Sequence, residues 1–95
     1  MVTHVVLFKL KDRSPETIAK MVKMLKGLSG KVPQVKALEV GTDVLRSERA
    51  YDISLTVKLD SQKDLELYQI HPEHVRVAQH IAAIREAVAV VDYES

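Results

Sequence analysis

The stretch Tyr68-Gln69-Ile70-His71-Pro72-Glu73-His74 gathers one of the chain's three tyrosines and two of its four histidines. Near neutral pH, histidine is the side chain best suited to take up and return a proton. A tyrosine hydroxyl can donate a hydrogen bond to a carbonyl oxygen as that oxygen gains negative charge. One base and one such donor are the minimum for enolisation, aldol closure or isomerisation next to a carbonyl. That chemistry requires no metal and no organic cofactor, and none is expected here.

The local sequence dictates how these residues are held. Proline disfavours helical geometry at the residue before it, so Pro72 ends a helix at His71. It then opens a second helix at the position where its missing N–H does no harm. His74 becomes the third residue of that helix, where the positive end of the helix dipole disfavours a second positive charge. A neutral imidazole is therefore expected. Tyr68 lies on the preceding short helix, which carries Leu65 and is capped by Asp60 or Ser61. The break at Pro72 is expected to turn its hydroxyl towards the imidazole. Plainer roles compete with these. His74 begins a stripe with Ala78, Ile81 and Arg85, where a histidine is often a cap or a satisfied core group. Tyr68 is of a type that packs at a core edge, its hydroxyl needing a partner either way. His71 is a further pocket candidate, and as the residue at a helix start it reads more simply as a cap. His80 shares the opposite stripe with Arg76 and Ala83 and is expected at the surface. His71, His74 and His80 do not make a metal site, because Pro72 spoils the spacing and no further ligand is well placed.

The remaining elements form the frame. Residues 2–11 read as a strand with His4, Val6, Phe8 and Leu10 on one face, and Val5, Leu7 and Lys9 on the other. Ser14 caps the next helix, Pro15 opens it, and Ile18, Met21, Val22, Leu25 and Leu28 recur at helical spacing. Gly27, Gly30 and Pro33 mark its end. Residues 35–44 read as a second strand, with a bulge or bend at Gly41. Residues 51–59 form a third, with Tyr51, Ile53, Leu55, Val57 and Leu59 on one face. The helix after Pro72 runs to about Arg85, and residues 87–93 form the last strand. Strand, helix, strand, strand, helix, strand predicts an α+β, ferredoxin-like fold: a four-stranded antiparallel sheet with helices on one face. The first and last strands carry apolar residues on both faces, as Val5 and Leu7, and Val88 and Val90, illustrate. Helices cover one face only, so a second copy of the sheet is expected on the other, which predicts a homodimer.

Composition narrows the partners. A net charge of +1 with scattered charges offers no basic stripe for nucleic acid, and one phenylalanine with three tyrosines is a poor base-stacking platform. With no cysteine there is no disulfide framework or thiolate metal site. The short apolar run at the N-terminus is interrupted by Lys9 and Lys11 and does not read as a signal peptide. No stretch approaches the roughly 20 apolar residues that span a bilayer. These features predict a cytoplasmic protein that engages neither nucleic acid nor membrane.

Four segments together resemble the stress-responsive dimeric A/B-barrel (Dabb) family. They are THVVLFKLK at 3–11, G-T-D at 41–43, S-E-R-x-x-D at 47–52 and Y-x-x-H-P-x-H at 68–74. The resemblance covers nearly the whole chain and implies a homodimeric α/β barrel of two four-stranded sheets with helices outside. A characterised plant relative is a cofactor-free polyketide cyclase whose essential pair is the tyrosine and second histidine of this last motif. By that match Tyr68 and His74 would be the catalytic pair. His4 corresponds to a pocket-lining histidine of the cyclase, with Phe8 beside it on the same strand face. Ile53 stands where the cyclase has a further pocket histidine, so part of that polar pocket is replaced. Arg49 and Asp52, within S-E-R-x-x-D, are expected to form a salt bridge, a turn lock or a contact across the dimer. The implied function is binding of a small, fairly apolar carbonyl compound with acid–base chemistry upon it. The alternatives are a small-ligand carrier and a non-enzymatic stress-associated dimer. An open pocket lined by both polar groups favours the first two; tight packing favours the last.

Overall fold

The β-branched N-terminal run forms β1 (Val2–Leu10), followed by α1 (Pro15–Lys26), β2 (Ala37–Thr42), β3 (Ile53–Leu59), α2 (Gln62–Ile70), α3 (Pro72–Ile84) and β4 (Arg85–Glu94). The computed structural model describes residues 1–95. The sheet is antiparallel in the order β2-β3-β1-β4. That order and the three helices on one face make the ferredoxin-like fold anticipated from the sequence.

Helix entry follows the expected chemistry. Ser14 caps α1 by accepting from the Thr17 N–H, with Pro15 next, and Ser61 rather than Asp60 caps α2 by accepting from Asp64. Met21 and Leu25 of α1, and Leu28 in the turn after it, meet Leu65 and Tyr68 of α2, Val77 and Ile81 of α3, and the inward residues of β1 and β3. Each is under a tenth exposed. Burial of such apolar surface, at about 25 cal/mol per Å², supplies the main stabilisation of the monomer.

Several details depart from the sequence reading. β2 is shorter than 35–44, and its pairing with β3 runs without a break, so Gly41 makes no bulge. A Cβ at Gly41 would lie 2.9 Å from Ser54 Oγ, which gives the glycine a steric reason instead. The sheet's irregularity falls between Lys9 and Leu10, opposite the start of β4. β3 begins at Ile53, because Asp52 is drawn into a polar junction. The Asp52 carboxylate is fully buried and accepts from the Leu10 N–H at 2.8 Å, from Arg13 Nε at 2.8 Å and from the Arg46 guanidinium at 3.1 Å. Its own N–H donates to the Phe8 carbonyl, and its carbonyl accepts from Asp43. Asp52 is thus the turn lock expected of it, but Arg49 is exposed and takes no part.

Two sheet faces differ sharply. Direct antiparallel partners share a face, so Phe8 with Val88, Val6 with Val90 and His4 with Asp92 all face the helices. Val88 and Val90 are therefore on the helix side and not on the open side. The open side of these strands carries Val5 and Leu7 with Ala89, Val91 and Tyr93. Leu7, Val91 and Tyr93 are 37%, 55% and 49% exposed, an apolar strip with no cover in the monomer.

Candidate functional site

Pro72 sets the site by breaking one helix into two. In a continuous helix the Gln69 carbonyl would accept from the Glu73 N–H, four residues on. Here that N–H donates to His71 Nδ1 at 3.1 Å, and His71 is the N-cap of α3. The Gln69 carbonyl is instead bound by His74 Nδ1 at 2.9 Å. The two histidines thus satisfy two of the backbone groups that the break leaves open. His71 does this as a cap and does not line the pocket, which corrects its candidacy as a binding residue.

The Gln69 contact also fixes the His74 tautomer. A carbonyl oxygen only accepts, so Nδ1 carries the proton and Nε2 presents a lone pair. Burial pushes the His74 pKa down, and the nearby imidazoles of His4 and His71 add to this, while the Gln69 carbonyl opposes it. The neutral ring is the form expected from the sequence, with burial as the larger cause. His74 is a base with its free nitrogen already defined.

Tyr68 lies against His74 with ring centroids 4.5 Å apart and planes at 55°. His4 meets the tyrosine edge-on, at 6.0 Å and 67°. The Tyr68 hydroxyl is buried and makes no hydrogen bond to any protein group. It is therefore bonded neither to the His74 imidazole, towards which the break at Pro72 was expected to turn it, nor to His4. Burial raises its pKa to about 12, so the phenol stays protonated and is a donor without an acceptor. A buried hydroxyl without a partner costs about 1–3 kcal/mol.

His4 is 5% exposed, and its Nδ1 is hydrogen-bonded to the Asp92 carboxylate directly across the β1–β4 pair. The carboxylate holds the Nδ1–H tautomer. Asp92 was not among the sequence candidates. The signal was present in the alternation Val88, Val90, Asp92, which puts Asp92 on the helix side at the level of His4. Asp92→Ala is expected to cost about 1–3 kcal/mol, because it strands a buried ring N–H. Asp92→Asn, which keeps an acceptor oxygen, should recover most of that loss in urea unfolding. Equal stability of all three proteins would remove Asp92 from the site.

These side chains close one end of a cavity of about 260 Å³ between α3 and the β1–β4 pair. His4, Phe8, Tyr68 and His74 line it, along with Val6, Leu55, Val88 and Val90. Ile53 does not. It packs in the core, paired with Phe8 on the side of β1 away from β4, and Leu55 is the β3 residue that reaches the cavity. His80 is exposed, as expected. A larger, shallower groove of about 580 Å³ runs beside α1, but two of its cations, Arg13 and Arg46, are already committed to Asp52. No cluster of three or more His, Asp or Glu side chains is placed to hold a metal ion.

Residues 2–95 match the family described as Stress responsive A/B Barrel Domain. The chain belongs to that family. It is 38% identical over 98 residues to the stress-response A/B barrel domain-containing protein DABB1 of Arabidopsis thaliana, covering 98% of this chain and 46% of that protein. It spans less than half the length of the curated relatives it matches. Among solved structures, a dimeric ferredoxin-like protein of unknown function from Bacteroides fragilis superposes with a TM-score of 0.85 at 31% identity. The match covers 99% of this chain and 95% of that one. The hydroxynitrile lyase of Passiflora edulis shares the fold, with a TM-score of 0.82 at 20% identity over 97% of this chain and 90% of its own. No helix of the structure is long and apolar enough to cross a membrane.

Proposed function

We propose that this Dabb domain binds a small, fairly apolar carbonyl compound in the α3–β4 cavity and performs cofactor-independent acid–base chemistry on it. The observation that carries this reading is the buried Tyr68 hydroxyl, a protonated donor with no acceptor in the protein, beside a histidine whose Nε2 lone pair is free. A carbonyl oxygen in the cavity supplies the missing acceptor. His74 Nε2 takes a proton from the carbon next to that carbonyl. The C–H pair becomes a C=C bond, and the carbonyl π pair moves onto the oxygen held by Tyr68. In a ligand with a β,γ double bond the electron pair extends to the γ carbon, and return of the proton there isomerises the ligand. Attack of the enolate on a second carbonyl of the same molecule closes a ring. That the same fold carries a lyase in Passiflora supports an enzymatic use. The test compares carbonyl-ligand binding and turnover in Tyr68→Phe and His74→Ala with the parent.

A homodimer belongs to the same reading. Its support is the uncovered strip of Val5, Leu7, Val91 and Tyr93, and the dimeric state of the Bacteroides fragilis neighbour. A charge placed in that strip would have to be buried without a partner. Val91→Asp is therefore expected to give a monomer in sedimentation velocity where the parent gives a dimer. A dimer of undiminished affinity would move the interface elsewhere. A cytoplasmic setting is the last part of the proposal, supported by the absence of cysteine from the chain.

A further inference from the structure

We infer that the cavity is built for a medium-chain keto acid, its ketone set between Tyr68 and His74 and its carboxylate held by Arg85. This rests on the carbonyl reading above and adds the far end of the ligand. Apart from the histidines, Arg85 is the one side chain of Lys, Arg, Asp or Glu type among those that line the cavity. Its guanidinium is half-buried and makes no ion pair and no hydrogen bond within the protein. Arg13, the other arginine that is not exposed, is committed to Asp52, as is Arg46. An uncommitted guanidinium beside apolar walls is a ready site for a planar carboxylate, which it can bind through two parallel N–H donors.

Its placement is deliberate in the fold. The irregularity between Lys9 and Leu10 falls opposite Arg85, and such a bulge re-aims the side chains beside it. The Lys11 N–H donates to the Ile84 carbonyl at 3.0 Å, which holds the α3–β4 corner against the end of β1. Arg85 follows His74 by about three turns of α3, roughly 16 Å at 1.5 Å per residue. His74 leans towards Gln69 and takes nothing from that span, whereas a long side chain at Arg85 lying back over the helix takes up about 6 Å of it, leaving on the order of 10 Å between carbonyl and carboxylate. An extended chain advances roughly 1.25 Å for each C–C bond of about 1.5 Å, so about seven or eight bonds fit. Val6, Ile81 and Val88 line the stretch between the two ends and suit methylenes. The volume of about 260 Å³ admits one such chain and falls below the roughly 300–1,000 Å³ typical of sites for larger ligands.

The probes are 8-oxononanoate, nonan-2-one and nonanoate, titrated calorimetrically into the intact protein. 8-Oxononanoate is expected to bind about tenfold more tightly than nonan-2-one, the margin of one charge-assisted contact. Arg85→Leu and Arg85→Gln should bring that ratio to about one, and Arg85→Lys should restore part of it. Tyr68→Phe should lower the affinity for both ketones and leave the Arg85-dependent ratio standing. If nonan-2-one binds and is lost in Tyr68→Phe, but the keto acid holds no advantage or keeps it in both neutral Arg85 variants, the Arg85 assignment is overturned while the carbonyl reading stands. If none of the three probes binds, both fall together.

Discussion

Asp52→Ala is expected to destabilise the protein by about 3 kcal/mol, the largest loss of any single polar substitution. The carboxylate is fully buried and satisfies the Leu10 N–H and two guanidiniums at once. Removing one partner of a buried ion pair typically costs about 3–5 kcal/mol, because the groups left behind are desolvated and unpaired. The lower end applies here, since Arg13 and Arg46 are about a third exposed and can rehydrate. The loss also breaks the junction between the end of β1 and the loop that joins β2 to β3, so the effect should appear as a lower urea midpoint with an unchanged slope. Protein concentration must be held fixed, because dimerisation adds to apparent stability. Arg49→Ala, at an exposed position with no ion pair, should stay within about 0.5 kcal/mol of the parent. Equal effects of the two substitutions would refute the junction.

The same carboxylate gives an acid limb. Burial alone would raise the Asp52 pKa, but the Leu10 N–H and the two guanidiniums outweigh it, and the net shift is downward. A folded pKa below the unfolded value of about 3.9 means the unfolded chain binds the proton more readily. The stabilisation is therefore fully present above about pH 4 and is lost as pH falls below that. Asp52→Asn should flatten the stability curve in that window and not above it.

Tyr68→Phe is expected to separate folding from function. The hydroxyl bonds nothing in the protein, so its removal should leave stability unchanged or raise it by about 1 kcal/mol, by relieving a buried orphan. Turnover of a carbonyl ligand should fall on the order of a hundredfold, as when a donor to a developing oxyanion is removed. His74→Ala should lose about 10²–10⁴ of rate, the usual worth of a general base. It should also cost about 1 kcal/mol of stability, because the Gln69 carbonyl loses its donor. The pH profile carries a further sign. His74 acts as a base only when neutral, and burial holds its pKa below the ordinary 6.5. Activity should therefore persist below pH 6.5 and decline only as pH drops through the depressed value, and His74→Ala should abolish that limb. If Tyr68→Phe instead costs 1–3 kcal/mol of stability, as expected for a paired buried hydroxyl, the tyrosine is a structural group and the enzymatic reading fails.

What the sequence determined by itself is local. The alternation of β1 settled which side His4 and Phe8 face. Ser14 and Pro15 set the start of α1, and Pro72 set the corner that brings Tyr68 and His74 together. The His71 cap followed from the same proline. Each of these depends on sterics and hydrogen bonds within a few residues, so the chain carries the information where it is used. The tertiary structure decided what depends on register and reach. Asp92 meets His4 across 88 residues of chain, and Arg13 rather than Arg49 meets Asp52 across 39. The side of Val88 and Val90, the exclusion of Ile53 from the cavity, and the free guanidinium of Arg85 were settled in the same way. A slip of one residue in strand pairing reverses every side chain of that strand, and three arginines lie within reach of one carboxylate until the loops are placed. Local rules do not distinguish such cases; the packing of the whole sheet against its helices does.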